Sequence, residues 1–103
     1  MDQRLNRENN DKRDPLDTLA YVVGSKYRRI IVSELASGPS NPTKLAEHND
    51  VHASHVSRAL GELEDRGVVS GHGAGSRTRL YRLTDHGEAV AELADDFVEE
   101  EDG

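Results

Sequence analysis

The sequence predicts a mainly α-helical domain with one small β-hairpin, in the element order α-α-α-α-β-β-α. Apolar residues recur at helical spacing in segments that Gly and Pro separate. After Gly67 the apolar period changes to two around a glycine-rich turn, and helical spacing returns from Thr84 onward. With 103 residues the chain suits one compact domain. We expect a disordered N-terminal arm at residues 1–14, the domain at 15–98 and an acidic tail at 99–103.

The net charge is −7, but its distribution matters more than its size. Residues 92–102 contain seven acids and no base, whereas acids and bases cancel over residues 1–14 and over residues 15–91. The acidic end therefore does not exclude nucleic-acid binding by the rest of the chain. The four bases of the N-terminal arm either contact DNA or belong to a solvated tail.

Composition excludes several classes of protein. The chain has no Cys, which rules out disulfides and thiolate metal sites. No apolar run has the length of a membrane span, and no signal-peptide pattern opens the chain, so we expect a cytoplasmic protein without a membrane partner. Hydrophobic residues make up only 34%, which favours a homodimer whose subunits share part of their core.

Two short helices open the domain. Pro15 begins the first helix and Gly24 ends it. Its apolar stripe consists of Leu16, Leu19, Ala20 and Val23. Ser25 caps a second helix over residues 26–37, whose inward residues are Tyr27, Ile30, Ile31 and Leu35. The first turn of that helix contains three cations, Lys26, Arg28 and Arg29. Cations there oppose the helix dipole, so this turn either contacts a phosphate or is a solvated basic turn.

Residues 41–67 predict two helices around a tight turn. Asn41 caps the third helix and a proline follows it at the first helical position. The fourth helix begins at His52 or Ala53 and ends at Gly67. This stretch is typical of a helix-turn-helix.

The fourth helix has two contrasting faces. Its apolar stripe consists of Val56, Ala59, Leu60 and Leu63. The exposed N-terminal half carries hydrogen-bonding groups without an acid, namely Ser54, His55, Ser57 and Arg58, whereas the C-terminal half is acidic. Such polarity suits entry of the N-terminal half into a DNA major groove, where Arg58 pairs with guanine O6 and N7. The alternative is an ordinary amphipathic helix with a solvated face.

Residues 68–83 predict a β-hairpin with a flexible tip. A short strand at 68–70 and an alternating segment at 77–83 flank a glycine-rich turn at 71–76. The hairpin contains three Arg and no acid, so it suits contact with a DNA backbone or minor groove. The glycines match no nucleotide-binding motif, and no helix begins directly after them.

Residues 84–98 predict the closing helix. Thr84 and Asp85 cap it, and its apolar stripe consists of Val90, Leu93, Ala94 and Phe97. That stripe covers either the flank of its own domain or the equivalent helix of a second copy. With the first helix it offers the best dimer surface, formed by Leu16, Leu19, Val90, Leu93 and Phe97.

These elements together resemble a winged helix-turn-helix. The chain is similar to small prokaryotic, especially archaeal, transcriptional regulators of the ArsR, MarR and PadR kind over residues 16–98. The similarity rests on SKYRRII from Ser25, TKLAE from Thr43, SHVSRALGELEDRGVV from Ser54 and RLYRLTDHG from Arg79. Ten Arg against three Lys, together with 20 acids, indicate a salt-loving archaeon as the source.

The resemblance also assigns contacts to particular residues. It implies base contacts by Ser54, His55, Ser57 and Arg58. It implies contacts to the DNA backbone by Tyr27, Arg28, Thr43 and Lys44, and wing contacts by Arg77 and Arg79. Metal-sensing ArsR proteins carry a Cys-containing motif in the helix before the recognition helix, and this chain lacks it.

The sequence therefore favours a transcription regulator that binds double-stranded DNA as a homodimer and reads its sequence with the fourth helix. The rival hypothesis is a winged helix used for protein–protein contact in the transcription machinery. No catalytic or nucleotide motif is present, so we expect neither enzyme activity nor a cofactor. His48, His52 and His55 are close in sequence but lack a recognised ligand spacing, so we expect no metal site. The sequence identifies no effector ligand.

Overall fold

The computed structural model describes residues 14–73, 75 and 79–102, with side chains described as far as Asp95. The described elements are five helices and two strands, as the sequence predicts. They are α1 (Pro15–Val23), α2 (Lys26–Leu35), α3 (Pro42–Asn49), α4 (Ala53–Asp65), β1 (Val69–His72), β2 (Leu80–Leu83) and α5 (Asp85–Asp102). None of the helices in these ranges combines the length and the apolar character that crossing a membrane requires.

Local signals in the sequence set most helix boundaries. The side chains of Ser25 and Asn41 accept hydrogen bonds from backbone N–H groups in the first turns of α2 and α3. Asp50 adopts a left-handed conformation after α3, and Gly67 does so after α4 with a φ of 77°. Two helix ends differ from the prediction. α2 ends at Leu35 rather than at residue 37, and α5 continues past residue 98 to Asp102.

Helix α4 lies at the centre of the hydrophobic core. Its Leu60 and Leu63 are almost wholly buried and belong to one cluster with Ile31 of α2 and Leu45 of α3. Burial of this stripe supplies the main force that fixes α4 against its neighbours. The opposite side of α4 is left facing solvent.

Helix α1 buries a different face from the one predicted. Its buried residues are Thr18, Leu19 and Val22, whereas Leu16 and Val23 are exposed. Thr18 is accommodated because its hydroxyl lies 2.9 Å from His86 Nε2 of α5, which satisfies a polar group inside the core. α1 therefore packs on α5 of its own chain through a polar residue that an apolar pattern does not reveal.

The hairpin is antiparallel, with Val69 opposite Leu83 and His72 opposite Leu80. Strand β1 extends two residues further than predicted, so Gly71 and His72 are paired rather than part of the turn. Ser40 joins the sheet through an isolated bridge to Tyr81, in which each residue donates its N–H to the carbonyl of the other. That bridge ties the hairpin to the segment leading into α3.

Candidate nucleic-acid interface

The N-terminal half of α4 presents an uncovered polar surface. Ser54, His55, Ser57 and Arg58 are exposed, and Arg58 retains 80% of its side-chain exposure. Because Val56 and Ala59 are buried between them, the helix cannot rotate to hide this face without exposing its core side. The four predicted base-contacting residues therefore share one accessible helical surface.

Aromatic contacts fix one side of this surface. The rings of Tyr27 and His55 stack with centroids 4.7 Å apart and an interplanar angle of 14°. His52, the residue before α4, meets His55 edge-on at 5.8 Å, and the ammonium of Lys26 lies 5.6 Å from the Tyr27 ring centroid. Tyr27 is half-buried, so its ring can support His55 from α2. The first turn of α2 and the first turn of α4 are thus brought together.

Two further predicted contacts lie at the start of α3. Thr43 and Lys44 are both exposed in its first turn. The backbone N–H of Lys44 donates to the Asn41 side chain at 2.8 Å, which caps the helix. Its exposed side chain is available to an anion, with the positive end of the helix dipole beside it.

Arg28 has a different position from the one predicted. Its side chain is 15% exposed and points into the protein. Its Nε donates to the Tyr21 carbonyl at 2.9 Å, and its Nη1 donates to Glu62 Oε1 at 2.9 Å. In this structure Arg28 links α2 to the C-terminal half of α4, and its contact with a DNA phosphate stays a prediction.

Tyr21 is a junction that the sequence did not reveal. The guanidinium carbons of Arg28 and Arg66 each lie 3.8 Å from its ring centroid. Since two guanidinium groups cannot share one face of a ring at that distance, the ring lies between them. Arg66 follows α4 directly and Arg28 belongs to α2, so Tyr21 of α1 connects α2 to the end of α4. Spacing alone gave no signal, because Tyr21 and Arg28 lie on two different helices and Arg66 is far from both in sequence.

The acids in the C-terminal half of α4 are compensated by cations from other elements. Glu62 pairs with Arg28, and Glu64 Oε2 lies 3.4 Å from Arg79 Nη2. The negative charge that the sequence places on this half is therefore partly neutralised within the fold. An approaching phosphate would meet less repulsion there than the sequence suggests.

Arg79 lies against the hairpin near the end that carries the turn. Its Nη2 also donates to the Gly71 carbonyl at 3.1 Å, and its Nε is buried without a hydrogen-bond partner. A Cβ on Gly71 would come within 2.5 Å of that Nε, so only glycine leaves room for this guanidinium. Arg79 is thus committed largely to the fold, while Arg77, the other predicted wing contact, falls outside the described residues.

The predicted dimer residues lie in different environments. Leu19 and Val90 are 3% and 0% exposed inside the chain's own core, so they offer no surface to a partner. Leu93 is half-buried against that core, and the side chain of Phe97 lies outside the described residues. Leu16 is 58% exposed and is the one fully accessible member of the predicted set whose side chain is described.

The histidines make contacts of other kinds than metal ligation. His48 Nδ1 lies 2.6 Å from Glu34 Oε2, His55 stacks on Tyr27, and His86 meets Thr18. Across the described ranges, no three side chains of His, Asp or Glu come together as a metal site would require.

Comparison with known proteins identifies a family. A family model described as the HVO_A0261 N-terminal domain matches residues 16–102, which is most of the chain. That description fits the haloarchaeal origin predicted from composition. Among curated proteins, no sequence matches the chain.

Several solved structures share this fold. The AntR antimony-specific transcriptional repressor is 27% identical, with a TM-score of 0.70 over 84% of this chain and 79% of that one. A mutant of ZitR from Lactococcus lactis is 24% identical, with a TM-score of 0.68 over 74% of this chain. The match spans 53% of ZitR, so this chain covers about half of that protein's length. The ArsR family regulator RHA00566 is 21% identical, with a TM-score of 0.60 over 86% of this chain and 94% of that one. These likenesses confirm the winged helix-turn-helix fold that the sequence predicts.

Proposed function

The chain belongs to the HVO_A0261 N-terminal domain family, and from this and the geometry of α4 we propose that it is a transcription regulator that binds DNA in a sequence-specific manner. The observation that carries the proposal is the exposed row of Ser54, His55, Ser57 and Arg58 on a helix whose other side is anchored in the core. Its structural neighbours AntR and RHA00566 are described as transcriptional regulators, which supports a binding module rather than an enzyme.

In the proposed complex the N-terminal half of α4 enters the major groove. Arg58 pairs with guanine, while Ser54, His55 and Ser57 contact base edges or the nearest phosphates. Thr43, Lys44 and Tyr27 contact the backbone beside the groove and fix the docking register. The contact of Arg77 with DNA stays a prediction from the sequence. Arg28 and Arg79 support this surface indirectly. Arg28 pairs with Glu62, and Arg79 pairs with Glu64.

We further propose that two copies assemble through α1. Leu16, Ala20 and Val23 are exposed at positions i, i+4 and i+7, which places them in one stripe. Leu16 and Val23 are 58% and 40% exposed, an unusual loss of burial for large apolar residues on one short helix. A two-fold dimer would cover this stripe with the same stripe of a second copy.

Sizing with light scattering tests this assembly. Leu16→Asp should convert the dimer to a monomer, because each copy would bring a carboxylate to the apolar contact. Leu80→Asp is the matched control, since Leu80 is 46% exposed on the hairpin and away from that stripe. A parent chain of monomer mass, or a Leu16→Asp variant that stays dimeric, would refute the α1 interface.

Fluorescence anisotropy with DNA tests the proposed function itself. The probe is a duplex enriched by the parent protein from fragmented genomic DNA, compared with a shuffled duplex of equal length. Arg58→Ala should weaken binding to the enriched duplex by about 1–3 kcal/mol and leave the shuffled duplex much less affected. Arg82→Ala is a charge-matched control, because Arg82 belongs to the wing rather than to α4, and loss of its charge should weaken both duplexes alike.

The rival function is a winged helix that contacts a protein instead of DNA. It predicts that the parent enriches no duplex and that Arg58→Ala and Arg82→Ala bind alike. The exposed Arg58 beside three hydrogen-bonding side chains favours DNA, since a protein contact of that kind would call for apolar anchors on this face.

A further inference from the structure

Glu62 lies between a buried arginine and an exposed one. Its Oε1 accepts from Arg28 Nη1 at 2.9 Å, and its Oε2 lies 3.8 Å from Nε of Arg58, one turn earlier on α4. The Glu62 side chain is 34% exposed, against 80% for Arg58 and 15% for Arg28. One carboxylate thus connects a fixed cation in the core to the free cation on the proposed DNA-reading face.

Arg28 is held rigidly enough to serve as the fixed end. Its Nε is bonded to the Tyr21 carbonyl and its guanidinium lies on the Tyr21 ring, whose other face is covered by Arg66. Tyr21 and Arg66 belong to two different parts of the chain, so motion of Arg28 would disturb both. Glu62 is therefore anchored from one side, and its second oxygen is directed toward Arg58.

We infer that Glu62 is a positioning residue for base recognition by Arg58, with Arg28 as its anchor. This inference rests on the proposed function. An arginine reads guanine with two parallel N–H donors of its planar fork. Glu62 takes the Nε side of the fork, which directs the two Nη atoms away from the helix toward a base. Arg28 shares the charge of Glu62, and this keeps Glu62 from drawing Arg58 back against the helix.

The inference predicts opposite effects on affinity and on specificity. Removing the Glu62 charge leaves Arg58 cationic but free to rotate, so it still attracts phosphate while it reads a base less well. It also removes one acid near the DNA, which raises affinity for any sequence. A residue with a purely structural role would weaken binding to both kinds of DNA and lower the stability of the fold.

The experiment compares Glu62→Gln with Glu64→Gln. Both remove one acid from the C-terminal half of α4, but Glu64 pairs with Arg79 rather than with Arg58. Anisotropy titrations use the duplex enriched by the parent and the shuffled duplex. For Glu62→Gln the ratio of the two affinities should fall roughly threefold to tenfold, a part of the discrimination that one bidentate arginine–guanine pair supplies. For Glu64→Gln both affinities should rise alike and their ratio should stay at the parent value.

A double-mutant cycle shows whether Glu62 acts through Arg58. In the Arg58→Ala background, Glu62→Gln should leave the ratio unchanged, since the residue it orients is gone. Urea unfolding of every variant excludes loss of folding as the cause.

Two results would overturn the inference, and they are distinguishable. If the parent is specific and Arg58→Ala loses that specificity while Glu62→Gln retains it, Glu62 does not position Arg58 and the proposed function still stands. If the parent shows no preference for any duplex, the proposed function fails and the inference fails with it.

Discussion

Gly87 allows the packing of α5 to be tested with one methyl group. A Cβ built at Gly87 would lie 2.1 Å from the Val68 carbonyl oxygen and 3.2 Å from Leu83 Cδ2. Contacts under 3.0 Å are essentially never made by real Cβ atoms, so α5 or the Val68 peptide would have to shift. The Val68 carbonyl is held in place, because it accepts hydrogen bonds from the backbone N–H of Thr84 at 3.0 Å and from its hydroxyl at 3.2 Å.

The magnitude follows from opposing contributions. An Ala in place of Gly within a helix ordinarily stabilises by about 0.5–1 kcal/mol. Overpacking a filled site costs about 1–3 kcal/mol, and weakening one or two hydrogen bonds costs about 0.5–1.5 kcal/mol each. The clash outweighs the helix preference, so Gly87→Ala should destabilise the fold by about 2–4 kcal/mol.

Gly61 provides the matched control on another helix. It is exposed in α4, and a Cβ there would meet nothing within 4 Å. Gly61→Ala should therefore stabilise by about 0.5–1 kcal/mol. Urea unfolding followed by circular dichroism measures both variants at one protein concentration, because dimerisation would make stability depend on concentration. A Gly87→Ala variant as stable as the parent, or a Gly61→Ala variant equally damaged, would refute this reasoning.

Two further stability predictions use the same unfolding assay. Leu63→Ala, at a fully buried site, should cost about 2–5 kcal/mol, whereas Leu80→Ala, at a site 46% exposed, should cost much less; equal losses would contradict the described core. Thr84→Ala should cost about 0.5–2 kcal/mol, because the hydroxyl accepts from the Gly87 N–H at 3.0 Å and lies 2.6 Å from the Gly67 carbonyl. No loss at Thr84 would mean that this cap does not stabilise α5.

Local features of the fold could be predicted because their causes lie close together in the sequence. Ser25 and Asn41 each cap the helix that follows by accepting a hydrogen bond from the backbone N–H three residues ahead. Gly67 ends α4 by taking the left-handed conformation itself. The two faces of α4 were also predictable, since thirteen residues at helical spacing separate apolar from polar positions clearly. These features needed no knowledge of the neighbouring elements.

Features that depend on distant residues were not predictable in the same way. Thr18 replaces an apolar residue in the core because His86, 68 residues later, satisfies its hydroxyl. Because α1 has only nine residues, one buried polar residue was enough to make the apolar pattern predict the wrong buried face. Arg28 was expected to contact DNA because its partner Glu62, 34 residues later, is not evident from spacing. The polar contacts of the core and of the interface therefore required the structure.

Docking of the N-terminal half of α4 in a DNA major groove can be tested by directed cleavage of DNA. Because the chain has no Cys, Ser57→Cys creates a single attachment point for an iron chelate that cleaves nearby DNA. We expect cuts at the centre of each half-site in a duplex enriched by the parent, with half-sites about one DNA turn apart. A chelate on Asp95→Cys, exposed on α5, should produce no cuts. Cuts from Asp95→Cys with none from Ser57→Cys would contradict the proposed docking of α4.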